Sequence, residues 1–428
     1  MIGYDRRFLS ERFAEVIAAV FCGNNVPVFL AENAVPTPVT AFAVLTQEAA
    51  GAVMVTASHN PAEYNGLKFI PEYAGPALPE VTGKIEMELQ KVLGTGTVQK
   101  QNLVEAEKLG RLSWIDPKET YLRHLAGMID LEAIRRAGLK IIVDPLYGAG
   151  IGYLEDFLTR AGCQVEVMHG YRDPLFGGAL PDPSARVLTG LAGKVKEKRA
   201  HLGLALDGDA DRFGVIDCDG TYLSPNQILY LCLFHLLQTR SWKGSVARSV
   251  ATTHMLDRIA GGYGLAVDET PVGFKYIGQS LLKRGSILGG EESGGMSIKG
   301  HIPEKDGILA NILVTEMLAL QGKPLTGLIS EIGNKFGLLT SNRLDITIPK
   351  ERKQEVMSRL EQLNPGQLAG IPVVQKVTLD GVKLVLDDGS WVLVRASGTE
   401  PLFRLYTEAT DQTLLEKIPQ EVRQLITI

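Results

Sequence analysis

The sequence predicts an α/β protein made of three related α/β domains with mixed, mainly parallel sheets and a C-terminal α+β domain with an antiparallel sheet. Two observations carry that reading. Short β-rich apolar runs alternate with amphipathic helical patterns through most of the chain, the pattern of strands joined by crossover helices. Beyond residue 340 the alternation gives way to strands joined by Asp-Gly turns at 380 and 388.

In chain order, a helical pattern over 11–22 precedes the strand "AVMVT" (52–56) and a second helix over 77–93. The strand "KIIVD" (140–144), a helix over 185–199 and the strand "LGLALD" (202–207) follow. The strand "SILGG" (286–290) and a helix over 306–320 close the α/β part. "LTSNRLDITI", "VVQKVTLDGVKLVLDDGSWVLVRAS" and "LFRLYTEA" then supply an antiparallel sheet before a terminal helix. These elements set domain boundaries at 1–125, 126–238, 239–340 and 341–428, and no fixed-period repeat is visible.

The totals exclude several functions. A net charge of -5 on 428 residues leaves no general basic face, so nucleic acid is not an expected partner. Cys22, Cys163, Cys218 and Cys232 form no C-x-x-C pair and read as reduced core thiols of a cytoplasmic protein. The longest apolar stretch, 228–237, is interrupted by His235 and falls short of the ~20 residues that a membrane span needs. "MIGYDRRFLSERF" has no apolar run of a secretory leader.

Four loops carry chemistry. "TASHNP" presents the Ser58 hydroxyl just beyond a strand; a turn with a capping serine is the plain alternative, and a G-x-S-x-G elbow is absent. In "LALDGDADRFGVID", Asp207, Asp209 and Asp211 stand at i, i+2 and i+4 after a buried strand. Three such carboxylates repel one another unless a hard cation such as Mg²⁺ collects them. An EF-hand is excluded, since Arg212 stands at loop position 6 and Cys218 at position 12. An aspartyl-phosphate mechanism at Asp207 is a rival that leaves Asp211 and Arg212 without roles.

In "GGEESGG", Glu291 and Ser293, two apart in an expected extended loop, point to one side as an acceptor and donor set for sugar hydroxyls; a mere turn is the alternative. "VLVRASGTEPLFRLY" places Arg395, Ser397, Gly398, Thr399 and Arg404 together as a phosphate cradle, against an incidental Ser-Gly-Thr hairpin. "YGAGIGYL" has Tyr153 where a dinucleotide loop needs its last glycine. Because loops at the carboxyl ends of strands gather ligands, these segments are expected to converge on one cleft.

In this order "TASHNPAEYNGLKF", "DGDADRFGVID", "VGFKYI", "GEESGG" with "HIPEKDG", and "RASGTEPLFRLY" resemble the α-D-phosphohexomutases, the phosphoglucomutase and phosphomannomutase superfamily, across nearly the whole chain. The resemblance implies a phosphoserine domain (1–125), a metal-binding domain (126–238), a sugar-binding domain (239–340) and a phosphate-binding C-terminal lid (341–428). Ser58 matches the phosphoserine; Asp207, Asp209 and Asp211, with Ser58, match the Mg²⁺ site. Glu291 and Ser293 match the sugar-hydroxyl readers. Arg395, Ser397, Gly398, Thr399 and Arg404 match the loop for the distal phosphate.

Arg7, His59, Lys68, Arg212 and Lys275 fall on positions expected to line the cleft. His301 and Lys305 lie in a segment similar to that of glucose-type mutases. Gly295 stands where some phosphomannomutase-like relatives carry a histidine, so that histidine's role in proton transfer does not carry over.

The implied activity interconverts hexose 1-phosphate and hexose 6-phosphate, glucose foremost, with Mg²⁺ and a hexose 1,6-bisphosphate activator. A phosphomannomutase or bifunctional mutase is the near alternative, and a catalytically impaired hexose-phosphate-binding relative the distant one. Lys68, Lys275, His59 and His301 are candidates for proton transfer or charge stabilisation. The expected partner is a phosphosugar, with no membrane, and the chain is expected to be a monomer or dimer. Relatives open on a Gly-Thr-Ser-Gly-x-Arg-like stretch, whereas this chain starts almost at "IGYDRR". A shortened first domain is expected to lack an early strand and helix and a loop near the serine, uncovering a sheet edge or apolar face.

Overall fold

A computed structural model describes residues 1–396 and 402–426. The first sheet holds β1 (Ile2–Tyr4), β2 (Val28–Ala31), β3 (Gly51–Val55), β4 (Leu67–Pro71) and β5 (Leu112–Ile115) in the order β4-β3-β1-β2-β5. The second holds β6 (Lys140–Asp144), β7 (Gln164–Val167), β8 (Leu202–Leu206), β9 (Phe213–Asp217) and β10 (Tyr222–Leu223) in the order β10-β9-β8-β6-β7. The third holds β11 (Val246–Ser249), β12 (Val267–Thr270), β13 (Leu288–Glu291) and β14 (Gly295–Ile298) in the order β12-β11-β13-β14.

Each of these sheets pairs its central strands in parallel and adds an antiparallel return: β3 with β4, β8 with β9, β13 with β14. The β8 segment "LGLAL" is buried at every residue, as a strand covered on both faces must be. All three returns start at the carboxyl end of a parallel strand, and Ser58, the aspartates and Glu292 to Gly294 occupy those turns.

The fourth sheet is antiparallel throughout: β15 (Thr340–Thr347), β16 (Gln367–Leu368), β17 (Ile371–Val377), β18 (Val382–Leu386), β19 (Trp391–Ala396) and β20 (Leu402–Ala409), ordered β15-β20-β19-β18-β17-β16. Gly381 and Gly389 take left-handed conformations at the Asp-Gly turns, which an added side chain disfavours. The helix expected over 185–199 begins only at Thr189, because 185–188 form a turn after Pro183. No helix among the described residues is long and apolar enough to cross a membrane.

The first sheet ends in β4 and β5, each paired on one side only, and it also leaves apolar surface on a face. The helix Ser10–Gly23 packs Ala14, Ala18 and Cys22 on β1 and β2. Beside it a cavity of about 440 Å³ opens between Met1, Ile2, Phe21, Phe29 and Phe69, and Phe13, Val16 and Leu67 are exposed.

Candidate active site

The serine loop leaves β3 at Val55, and Ser58 takes φ 52°, a left-handed conformation that a non-glycine residue adopts at a cost of about 1 kcal/mol. Two contacts hold it. Ser58 N–H donates to Thr56 Oγ1 at 2.8 Å, and the Arg7 guanidinium gathers the loop carbonyls. Its Nη2 donates to Ser58 O at 2.7 Å and Asn60 O at 2.6 Å, its Nη1 to Pro61 O at 2.8 Å and Tyr64 O at 3.0 Å. Asp5 lies 3.3 Å from Arg7 Nε, and the Phe176 ring lies 4.9 Å from the guanidinium. Arg7 therefore does not line the cleft as expected; it is wholly buried, because those turn carbonyls need donors away from water.

The aspartates fill the turn between β8 and β9, with Ala210 left-handed (φ 59°) between Asp209 and Asp211. All three are wholly buried, with carboxylate oxygens within 4.8 Å of one another. Ser58 Oγ donates to Asp207 Oδ2 at 3.0 Å. Asp209 Oδ2 accepts from Thr37 Oγ1 and from Lys68 Nζ, each at 2.6 Å. Asp211 Oδ2 accepts from Lys68 Nζ at 3.0 Å and lies 2.7 Å from Lys305 Nζ.

Backbone contacts fix this turn from both sides: Thr37 N–H donates to Asp209 O, Gly307 N–H to Ala210 O and Phe213 N–H to Gly294 O. A Cβ on Gly208 would lie 2.5 Å from Ser58 O, so glycine is what lets the serine loop and metal turn touch.

Burial, then Asp209 and Asp211, push the Asp207 carboxyl well above its usual range. Burial works the same way on Asp209 and Asp211, but Lys68 and Lys305 outweigh it and hold both below that range. Asp209 Oδ1 and Asp211 Oδ1 remain buried without a hydrogen-bond partner. Orphaned carboxylate oxygens beside an electrostatically disfavoured third carboxylate fit a hard, oxygen-seeking divalent cation.

The remaining expected residues surround this centre unevenly. Glu291 ends β13 opposite Gly295, so the hairpin turns at 292–294 and Ser293 lies in a tight turn, not the extended loop expected. Gly273 N–H donates to Glu291 Oε1 at 2.7 Å; burial, then Glu292, push the Glu291 carboxyl up to about 7. Arg212 lies 3.6 Å from Asp182 and 3.9 Å from Asp211. His59 is half-buried with an unpartnered Nδ1, and burial with the Arg212 charge brings its imidazole down to about 4. Lys275 sits in the first turn of the helix Phe274–Arg284, its ammonium 5.3 Å from the Tyr276 ring centre.

Arg395 faces Arg404 across β19 and β20 and donates to Asp380 at 2.8 Å. Burial raises the Glu292 carboxyl while Arg343, Arg212 and Arg395 oppose it, so arginines of the second and fourth sheets reach the turn of the third. Ser397, Gly398 and Thr399 lie outside the described residues. His301 departs from expectation: its side chain is wholly buried and bound to Asp306, one layer behind Lys305.

Two residues of the site had no signal that sequence reasoning used. Thr37, in "VPTPV", looks like an ordinary helix start, yet it is wholly buried on Asp209. Glu304, beside Lys305, is 3% exposed, and burial pushes its carboxyl up to about 7.

Four family models match the chain in succession. "Phosphoglucomutase/phosphomannomutase, alpha/beta/alpha domain I" covers 1–93, domain II 119–220, domain III 224–336, and the C-terminal domain 355–425. A "probable phosphoglucosamine mutase" of Thermococcus gammatolerans is 31% identical over 427 residues, 100% of this chain and 90% of the relative. A "phosphoglucomutase/phosphomannomutase" of Thermococcus kodakarensis is 30% identical over 412 residues, 96% of this chain and 86% of the relative. The crystal structure of a phosphoglucomutase/phosphomannomutase family protein from Burkholderia thailandensis superposes with a TM-score of 0.80 at 23% identity, over 100% of this chain and 88% of that one, a likeness of fold.

Proposed function

The chain belongs to the phosphoglucomutase/phosphomannomutase family, the α-D-phosphohexomutases, and on that footing we propose that it interconverts the 1- and 6-phosphates of an aldohexose, glucose foremost, through phospho-Ser58. The observation that carries this is Ser58 Oγ at 3.0 Å from Asp207, one of three clustered buried aspartates. A magnesium ion held by Asp207, Asp209, Asp211 and an oxygen on Ser58 would neutralise charge on the transferring phosphoryl group.

The free sugar hydroxyl attacks phosphorus in line; its O–P bond forms as the Ser58 Oγ–P bond breaks, giving a hexose 1,6-bisphosphate. The imidazole of His59, neutral near pH 7, can take the hydroxyl proton late in the transfer, once O–P bond formation has made that proton acidic enough for a base of about 4. Lys68 and Lys305, anchored on Asp209 and Asp211, supply positive charge beside the transfer that stabilises the departing serine oxygen until it regains a proton. The bisphosphate turns over and returns its other phosphate to Ser58. Both orientations must meet Glu291 and Ser293, so recognition rests on hydroxyls near the ligand's pseudo-symmetry axis. The names of the relatives divide between sugars; the glucose assignment follows "GEESGG" and "HIPEKDG".

The test is conversion of glucose 1-phosphate to glucose 6-phosphate with Mg²⁺ and catalytic glucose 1,6-bisphosphate, alongside mannose and glucosamine phosphates. Ser58→Ala abolishes turnover with each, and intact mass of the active protein shows a species about 80 Da heavier, the mass of one phosphoryl group. Full activity of Ser58→Ala refutes the phosphoserine.

A further inference from the structure

Asp306 is wholly buried and its carboxylate is fully engaged. Oδ1 accepts from Ile308 N–H and Leu309 N–H, each at 2.9 Å, as the cap of the helix Gly307–Gln321. Oδ2 accepts from Tyr121 Oη at 2.6 Å and from His301 Nε2 at 2.8 Å. Capping requires only the first pair. The second pair buries a phenol and an imidazole from different parts of the chain.

With Nε2–H given to Asp306, His301 Nδ1 is left as acceptor for His124 Nε2–H at 3.0 Å, and the two rings stack at 5.2 Å. Phe42 closes the cluster, 4.7 Å from the His124 ring and 5.8 Å from that of Tyr121.

Both ends of this cluster run to the metal turn. Phe42 lies on the helix Thr37–Thr46, whose first residue holds Asp209. Asp306 follows Lys305, which meets Asp211 at 2.7 Å, and precedes Gly307, whose amide donates to Ala210 O. A Cβ on Gly307 would lie 2.3 Å from Arg212 O, so the helix start abuts the turn without slack. A carboxylate held by four donors has one orientation, and small shifts in a packed contact are passed on undamped.

We propose that Tyr121 and His301 are positioning residues: through Asp306 they fix the start of the helix Gly307–Gln321, and with it Lys305 and the 207–212 turn. This rests on the metal-assisted phosphoryl transfer above. A purely structural brace would lower stability and leave the turn unchanged.

The experiment compares full-length wild type with Tyr121→Phe, His301→Ala and His301→Gln, the last keeping a side-chain donor for Asp306. Amide hydrogen exchange of 207–212, Mn²⁺ affinity by titration calorimetry, and kcat and KM are measured beside Tm. Tyr121→Phe and His301→Ala speed exchange in 207–212, weaken Mn²⁺ binding roughly tenfold and lower kcat more than they raise KM, while His301→Gln recovers part of each. Unchanged exchange in 207–212 with a lowered Tm overturns the proposal, whatever Mn²⁺ does. Wild type that binds no Mn²⁺ overturns the metal reading instead, and exchange still decides the brace.

Discussion

Arg7 meets Ser58 at the carbonyl and not at the hydroxyl: guanidinium Nη2 donates to Ser58 O at 2.7 Å, while Ser58 Oγ donates to Asp207. The arginine thus sets where Oγ points without touching what Oγ reacts with. Arg7→Lys keeps the charge beside Asp5 but has no planar fork to reach four carbonyls. Its kcat falls by roughly a hundredfold as Ser58 loses its aim, and stability drops by about 2 kcal/mol because buried turn carbonyls lose their donors. Steady-state kinetics and urea unfolding read the two effects; a kcat within twofold of wild type excludes the orienting role.

Thr37 yields a cleaner variant, since valine copies its shape. Thr37→Val deletes the 2.6 Å hydrogen bond that orients Asp209 Oδ2, and divalent-ion affinity falls roughly tenfold. Thr37→Ser restores most of it. Calorimetric titration with Mg²⁺ measures both, and equal affinity in Thr37→Val and wild type removes Thr37 from the site.

Ser58 and the aspartates were legible because turns after apolar strands concentrate polar residues that the strands themselves refuse; Glu291, the last residue of β13, borders such a turn. Arg7 and His301 were misplaced for one reason: a charged or titratable residue in a polar motif reads as facing ligand, and only the folded chain shows Arg7 facing carbonyls and His301 facing Asp306. Thr37 was unreadable because its partner, Asp209, lies 172 positions away. The open alternation of parallel sheets and the Asp-Gly turns of the last sheet are local signals. The strand order β4-β3-β1-β2-β5 is set by packing between distant segments and has no such signal.

Glu304 ties stability to pH. Burial raises its carboxyl from an ordinary 4.5 to about 7. Between those values the folded chain holds the proton that the unfolded chain has lost, so this group's contribution is full below 4.5 and is lost as pH rises through about 7. Relative to wild type, Glu304→Gln gains stability from pH 5 to pH 7.5, by at most about 3 kcal/mol. Urea midpoints for both proteins, taken without added metal, give the difference; a pH-independent difference contradicts it.

Glu291 carries a kinetic counterpart. Its carboxyl, pushed to about 7 by burial, accepts sugar hydroxyls best when ionised. On the reading that it binds the sugar, kcat/KM rises from pH 6 to pH 8 with an apparent midpoint near 7. Glu291→Gln lowers kcat/KM and flattens that limb. A limb that survives in Glu291→Gln belongs to another group.

Lys383 imposes the opposite sign at the joint between the third and fourth sheets. It is 1% exposed, and its Nζ donates to Val250 O at 2.9 Å and Glu269 Oε1 at 2.8 Å, 4.4 Å from the Trp391 ring. Burial, then the Arg248 charge, lowers its ammonium from 10.5 to about 8, with Glu269 opposing. Between about 8 and 10.5 the unfolded chain holds more protons, so this group adds stability as pH rises. Buried thiols at Cys163 and Cys232, raised by desolvation, slope the other way above pH 9, so wild type alone does not isolate the lysine. The comparison with Lys383→Met does: wild type gains on the variant from pH 8 to pH 10 by up to about 3 kcal/mol, read from urea midpoints. A constant difference across that range means that the amine is charged in the folded chain, and that the joint is held by an ion pair with Glu269 at every pH in the window.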